Sequence, residues 1–239
     1  MKKRYNFFVL NPNEVSLWRA ALSVTEEQLS EFFAVLSPDE IARAEKFKFP
    51  IHKQRFIAAR GILRCILSYY LLIEPQEIQF SYTAHGKPYI ADNDVEFNVS
   101  HSHDMAVFAV TKRFPIGVDI EKIKSTYEDA VAKRYFSQQE YAGLQEVSLA
   151  QQAKTFYQIW ANKEAVIKAM GLGVHYSLES FTVPIKETKR VFSLQLEKTN
   201  WSLQTFAAHP DYTAAVVTEQ PIEKILYWEW TLMGPQIWK

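Results

Sequence analysis

The stretch Gly117-Val118-Asp119-Ile120-Glu121, read together with Trp160-Ala161-Asn162-Lys163-Glu164 and Lys168, decides how this chain is understood. In an extended strand Asp119 and Glu121 point to one face and Ile120 to the other, so two carboxylates can share one hard cation. Trp160, Glu164 and Lys168 recur every four residues and share a helix face, which sets a third carboxylate beside a phosphate-seeking ammonium. The pattern predicts a magnesium–phosphate site. On spacing alone two other readings stay open: Asp119 and Glu121 as a solvated strand edge near Lys122 and Lys124, and Trp160 as a packing residue rather than a stacking surface.

Outward from that stretch, helix starts are well marked. Thr25 to Gln28, Ser37-Pro38-Asp39-Glu40 and Ser137-Gln138-Gln139-Glu140 read as capping boxes, the second with proline at its first helical position. The Glu40 to Phe49 segment carries Arg43, Lys46 and Lys48. A long amphipathic helix is predicted from about Lys53 to Leu72, with Phe56, Ala59, Leu63, Ile66 and Leu67 on its apolar stripe and Arg60 and Arg64 on its polar side. A second main helix is predicted over Ala153 to Met170, stopped by Gly171-Leu172-Gly173. Strands are expected at Ile78 to Tyr82, Phe97 to Ser100 and Met105 to Val110, with Gly117 to Glu121 continuing the same sheet. Further strands are expected at Phe181 to Val183, Val191 to Leu196, Trp201 to Ala207 and Tyr212 to Thr218.

The segment from His103 to Val110, leading to Pro115-Ile116, is echoed by Pro210 to Val217, leading to Pro221-Ile222. The echo predicts an α+β protein of two similar subdomains related by a pseudo-twofold, residues 1–120 and 121–239, with the site at their interface.

Composition narrows the function classes. The chain has 239 residues, 48% of them hydrophobic, enough for one large domain or two joined small ones. Its 27 basic and 27 acidic residues cancel, so the overall charge makes no case for nucleic acid or an acidic membrane. Cys65 is the only cysteine, which excludes an internal disulfide and leaves a Cys-rich zinc site without ligands. The start Met1-Lys2-Lys3-Arg4 soon meets Asn11, Pro12, Asn13 and Glu14, too short an apolar run for a secretory or membrane segment, so a cytoplasmic location is expected. Neither a dinucleotide-binding glycine loop nor a Walker loop is present, which disfavours nicotinamide and ATP enzymes. Ser100-His101 invites a nucleophile–base reading. Adjacent strand residues point to opposite faces, however, and no third partner is placed by spacing.

The ordered set Gly86-Lys87-Pro88, Asn98-Val99-Ser100-His101-Ser102, Gly117-Val118-Asp119-Ile120-Glu121 and Trp160-x-x-Lys163-Glu164-x-x-x-Lys168 resembles the 4'-phosphopantetheinyl transferase superfamily. The resemblance runs from Ile41 to about Gly173. Length and doubled architecture resemble the larger, pseudo-dimeric class rather than the small class that assembles as trimers. It implies transfer of the phosphopantetheine arm of coenzyme A to a serine of an apo acyl, peptidyl or aryl carrier protein, releasing adenosine 3',5'-bisphosphate. A monomer is expected, with coenzyme A as co-substrate and Mg2+ as cofactor.

By the same resemblance Asp119, Glu121 and Glu164 form the metal site, Glu164 is the candidate base, and Lys168 lies against the diphosphate with Lys163 second to it. Ser100 and His101 are placed against the coenzyme, His101 at its phosphates. Lys46, Arg55 and Lys87 are the best matches for holding the 3'-phosphate and adenine end, with Arg43 and Lys48 in the same region, while Gly86 and Pro88 shape the loop. The competing readings are a magnesium-dependent phosphodiesterase or nucleotidyl transferase, and a non-catalytic module that binds coenzyme A or a carrier.

Overall fold

The computed structural model describes residues 8–173, 176–185, 192–231 and 233–238. The basic start at Met1 to Arg4, and Val191 at the head of an expected strand, lie outside them. In chain order the elements are β1 (Glu14–Ala21), α1 (Glu26–Ala34), α2 (Pro38–Ala44), α3 (Pro50–Leu71), β2 (Ser81–Tyr82), β3 (Pro88–Tyr89), β4 (Val95–Ser102), β5 (Met105–Lys112), β6 (Ile116–Lys122), α4 (Asp129–Tyr135), α5 (Gln138–Glu146), α6 (Leu149–Met170), β7 (Phe192–Leu196), β8 (Thr199–His209), β9 (Tyr212–Thr218), β10 (Lys224–Thr231) and β11 (Gly234–Ile237).

Both long helices start earlier than their apolar periodicity predicts, at Pro50 and Leu149. Pro50 tolerates this because the first helical turn needs no N–H from it. Gly171 ends α6 in the left-handed region, φ 71°, as its sequence predicts. Phe181 to Val183 is not a strand, and the strand expected from Ile78 shrinks to Ser81–Tyr82. β1, β3, β10 and β11 have no counterpart among the expected strands.

Strand alternation builds four layers. On β5, Ala106, Phe108 and Val110 face α3 with Ile62, Leu63, Ile66 and Leu67, while Val107 and Ala109 turn the other way. On β9, Ala215 and Val217 face α6, and Ala214 and Val216 turn away from it. The inward sets meet between the sheets, together with Val15, Leu17, Ile116, Val118 and Ile120. The layers are therefore helix, sheet, sheet, helix.

One sheet has the order β11-β10-β1-β5-β4 and the other β6-β9-β8-β7, with β2 and β3 as a separate ribbon. The expectation that Gly117 to Glu121 continues the first sheet is corrected: β6 pairs with β9 in the second sheet. The sheets also divide the chain differently from a cut at residue 120. The change of sheet falls between β5 and β6, and β10 returns to pair in parallel with β1.

The two halves repeat each other closely. Ser16 pairs with Val110 and Gly117 with Val217, and α3 and α6 each have 22 residues. In the first half Glu40, at the start of α2, accepts Arg64 of α3 at 2.7 Å, and Arg64 also donates to Pro75 O and Ile78 O. In the second, Glu140, at the start of α5, pairs with Lys163 of α6 at 2.8 Å, and Lys163 also donates to Leu178 O and Phe181 O. Arg64 and Lys163 occupy the same place in their helices. These buried charges bind the halves internally, and each cation bonds backbone carbonyls as well as its carboxylate, although Arg64 Nη2 is left buried without a hydrogen-bond partner.

Candidate active site

The site begins with a glycine. A Cβ at Gly117 would overlap Ala165 O and Ala169 N, so only glycine lets α6 lie this close to β6. Asp119, two residues on and on the same strand face, then meets Lys168 of α6: Nζ lies 2.5 Å from Oδ1. Ser100 Oγ donates to the same Oδ1 at 2.8 Å and accepts from Lys168 Nζ at 2.9 Å. Asp119 Oδ2 is buried with no hydrogen-bond partner.

β6 is a sheet edge, and β4 completes it with side chains in place of a backbone ladder. Asn98 Oδ1 accepts from Val118 N at 2.9 Å, and Ser102 Oγ accepts from Lys122 N at 3.2 Å. Ser102 also donates to Glu121 Oε2 at 3.1 Å. The polar alternation Asn98, Ser100, Ser102 was the available signal for this seam, and only Ser100 was singled out from it. The seam satisfies backbone groups that an exposed edge would leave to water.

The carboxylates repel one another. Burial, reinforced by Asp119, pushes Glu121 up to about 7. Burial and then Asp119 raise Glu164 as well, with Lys168 opposing. Three crowded carboxylates and an orphaned oxygen suit a hard cation chemically. Among the described residues, no three His, Cys, Asp or Glu side chains are already disposed so that they could hold a metal ion. Lys168 at Asp119 takes part of the charge that a cation would balance.

Two cavities adjoin this cluster. One of about 250 Å³ is lined by Lys87, Pro88, Asn98, Glu164 and Lys168 among others. The second, about 200 Å³, shares Gly86, Pro88 and Val99 with it and adds Arg43, Phe56, Arg60 and His101. Burial first, then Lys168 and Arg55, hold the His101 imidazole below its ordinary value. Arg43 lies over the Phe56 ring at 5.5 Å. A third cavity, lined by Tyr135, Trp160, Tyr176 and Leu178, shares Glu164, Ile167 and Gly173 with the first. Trp160 stacks on Phe156 and meets Tyr135 edge-on.

Several expected coenzyme contacts are placed otherwise. Lys163 is fully buried in its pair with Glu140, one residue before Glu164 and so about 100° round the helix from the Trp160–Glu164–Lys168 stripe, and its ammonium is committed to the interior. Arg55 donates through Nε and Nη2 to Asp104 Oδ1 at 3.0 and 2.7 Å, which ties α3 to the β4–β5 turn. Lys87 Nζ donates to Ile116 O at 2.8 Å and Lys168 O at 3.0 Å. Lys46 and Lys48 are exposed on the segment joining α2 to α3.

Fold and site define a two-half α+β protein with an acidic, lysine-flanked cleft where the halves meet. Two family models match it: 4'-phosphopantetheinyl transferase, N-terminal, over residues 18–113, and 4'-phosphopantetheinyl transferase superfamily over residues 115–217. The 4'-phosphopantetheinyl transferase HetI of Nostoc sp. is 40% identical over 85% of this chain and 87% of that protein. Psf-1 of Bacillus pumilus is 34% identical over 82% of each, and Sfp of Bacillus subtilis 31% identical over 83% of this chain and 88% of its own. The chain belongs to the 4'-phosphopantetheinyl transferase superfamily, alongside the larger Sfp- and HetI-like members. Among the described residues no helix is long and apolar enough to cross a membrane.

Proposed function

We propose that the cleft formed by Ser100, Asp119, Glu121, Glu164 and Lys168 carries out the reaction of this family on coenzyme A. The chain is a 4'-phosphopantetheinyl transferase: it moves the phosphopantetheine arm of coenzyme A to a carrier-protein serine. The carrier serine oxygen forms a bond to the phosphorus that bears the arm. The bond from that phosphorus to the bridging oxygen breaks, and adenosine 3',5'-bisphosphate leaves. The serine proton passes to Glu164.

The carrying observation is the coupling of Asp119 to Lys168 beside raised carboxylates. Burial gives Glu164 a higher proton affinity than a solvated glutamate, which suits a base working near neutral pH. Lys168 is only 29% exposed, so its ammonium acts on a diphosphate in a partly dry cleft, where a fixed charge counts for more than in water. Mg2+, held by Asp119 Oδ2, Glu121 and Glu164, would when bound neutralise the diphosphate and withdraw electron density from the attacked phosphorus.

The nucleotide end of coenzyme A is read into the neighbouring cavity, whose Arg43 and Arg60 offer cations to a phosphate, His101 an imidazole hydrogen bond and Phe56 an aromatic face to a base. Acyl, peptidyl and aryl carriers all remain candidate partners. Incubating the protein with coenzyme A, Mg2+ and a panel of apo carriers, with intact-mass detection, tests the reading. A mass gain of one phosphopantetheine on a carrier is expected. Coenzyme A cleavage with every carrier unmodified would favour a phosphodiesterase instead.

A further inference from the structure

Lys87 differs from Lys168, whose ammonium meets the side chains of Asp119 and Ser100, in that its own ammonium is engaged by backbone carbonyls. It donates to Ile116 O at 2.8 Å and to Lys168 O at 3.0 Å, two carbonyls that belong to different elements of the second half. Ile116 is the first residue of β6, the strand that carries Asp119. Lys168 O lies in the last turn of α6, where the final four carbonyls have no partner within the helix. Gly171 N reaches back to Ile167 O, which leaves Lys168 O to be satisfied from outside. A lysine ammonium there both fills the vacant hydrogen bond and meets the negative end of the helix dipole.

The turn carrying Lys87 also meets the chain just beyond α6. Gly173, with φ 64°, lies so close to His85 that a Cβ would come within 3.1 Å of the His85 Cβ. The turn itself is internally closed, with Gly86 N donating to Thr83 O and Thr83 N to Lys87 O. It therefore moves as a unit, and through Lys87 it spans from the first half to the two elements that bring Asp119 and Lys168 together.

We propose that Lys87 is a positioning residue, which fixes the end of α6 against the start of β6 and so sets the placement of Lys168 and Glu164. This rests on the reading that those two groups act in the transfer. Its consequence differs from that of a phosphate ligand. A ligand to the remote nucleotide binds substrate and transition state alike, so its loss raises KM; a positioning residue lowers kcat. Small misplacements of reacting groups cost rate steeply.

The test compares wild type with Lys87→Met, which keeps chain length without charge, and Lys87→Arg, which keeps charge and donors. Steady-state kinetics with coenzyme A and with dephospho-coenzyme A are combined with calorimetric coenzyme A binding and amide hydrogen exchange at Gly171. For Lys87→Met, kcat is expected to fall by about tenfold or more, with KM and coenzyme A affinity within about threefold of wild type. The loss should be the same with either donor, exchange at Gly171 should accelerate, and Lys87→Arg should recover part of kcat. A raised KM with kcat retained, and a penalty that vanishes with dephospho-coenzyme A, would make Lys87 a phosphate ligand and overturn the proposal. So would unchanged exchange at Gly171. If wild type modifies none of the carriers, the reading of the reaction fails by itself, while exchange and calorimetry still decide what Lys87 does.

Discussion

Asp119 and Lys168 form a 2.5 Å ion pair across the seam between β6 and α6, and it leaves the second oxygen of Asp119 buried without a partner. The equivalent residues in the first half are Trp18 and Tyr69, whose rings stack with centroids 6.1 Å apart. Trp18 and Asp119 hold corresponding registers on β1 and β6, and Tyr69 and Lys168 hold the same position, counted from the helix start, in α3 and α6. Cys65 likewise stands where the second half has Glu164. The pseudo-twofold thus relates one charged cleft to one aromatic core, also packed by Phe8 and Trp228.

Asp119→Asn keeps size but removes the charge that faces Lys168. Turnover should fall by about two orders of magnitude or more, because the lost interaction acts on charge developing in the transition state. Thermal unfolding with and without Mg2+ supplies an independent readout: wild type should gain stability from the ion and the variant should not. Wild-type turnover at saturating Mg2+ and coenzyme A would remove Asp119 from the site.

Glu164→Gln separates base from ligand. The amide cannot take the serine proton, so kcat should drop while calorimetric coenzyme A affinity changes by less than about threefold. Parallel loss of both would show that Glu164 serves chiefly to hold the substrate or its cation.

Gly117→Ala asks whether the close approach of helix to strand creates the site. The new methyl overlaps Ala165 O and Ala169 N, which are backbone atoms and cannot swing aside, so α6 must shift. A stability loss of about 1–3 kcal/mol is expected from overpacking, and turnover of the folded fraction should fall more than that of Gly171→Asn, a change at the left-handed helix cap. Equal turnover in the two variants would detach catalysis from this contact.

How much of this was legible follows from what each signal reports. Period-two and period-four spacing put Asp119, Glu121, Glu164 and Lys168 on the right faces, because spacing fixes direction along an element. Direction does not say what lies opposite. Lys163, next to Glu164 in sequence, points into the core toward Glu140, and nothing local announces a partner so far along the chain. The same limit misplaced β6, whose backbone pairs with β9 while β4 meets it through the side chains of Asn98 and Ser102. Lys87 carries the phosphate-like promise of its Gly-Lys-Pro turn, and only the end of α6 reveals its carbonyl partners.

His101 gives a pH signature. Burial, then Lys168 and Arg55, lower its folded-state pKa below the ordinary 6.5. The unfolded chain therefore takes up a proton that the folded chain resists. The stability that goes with neutral His101 is complete above about 6.5 and is lost as pH falls from there toward the lowered folded value. Denaturant unfolding between neutral and acidic pH should show wild type losing more stability than His101→Gln over that window. Parallel curves would mean that His101 is not held neutral by its surroundings.

The carrier must reach a cleft in a chain whose formal charges sum to zero, so any electrostatic steering has to be local. Lys122 and Lys124 follow directly on the acidic strand. Lys122 is half-buried beside the Tyr212 ring, 6.0 Å from its centroid, and Lys124 is exposed. Lys133 and Arg134 extend the basic character along α4. A carrier with an acidic surface around its serine would be drawn to that segment before chemistry begins. Reversing Lys122 and Lys124 to glutamate should slow the encounter and flatten the dependence of the rate on ionic strength, because exposed charges act over a Debye length of about 10 Å at 0.1 M salt. Coenzyme A affinity should stay nearly unchanged, because neither lysine lines the cavities proposed for the coenzyme. Initial rates at subsaturating carrier across a salt series decide the matter, and a double reversal with wild-type carrier kinetics at every ionic strength would place the docking surface elsewhere on the molecule.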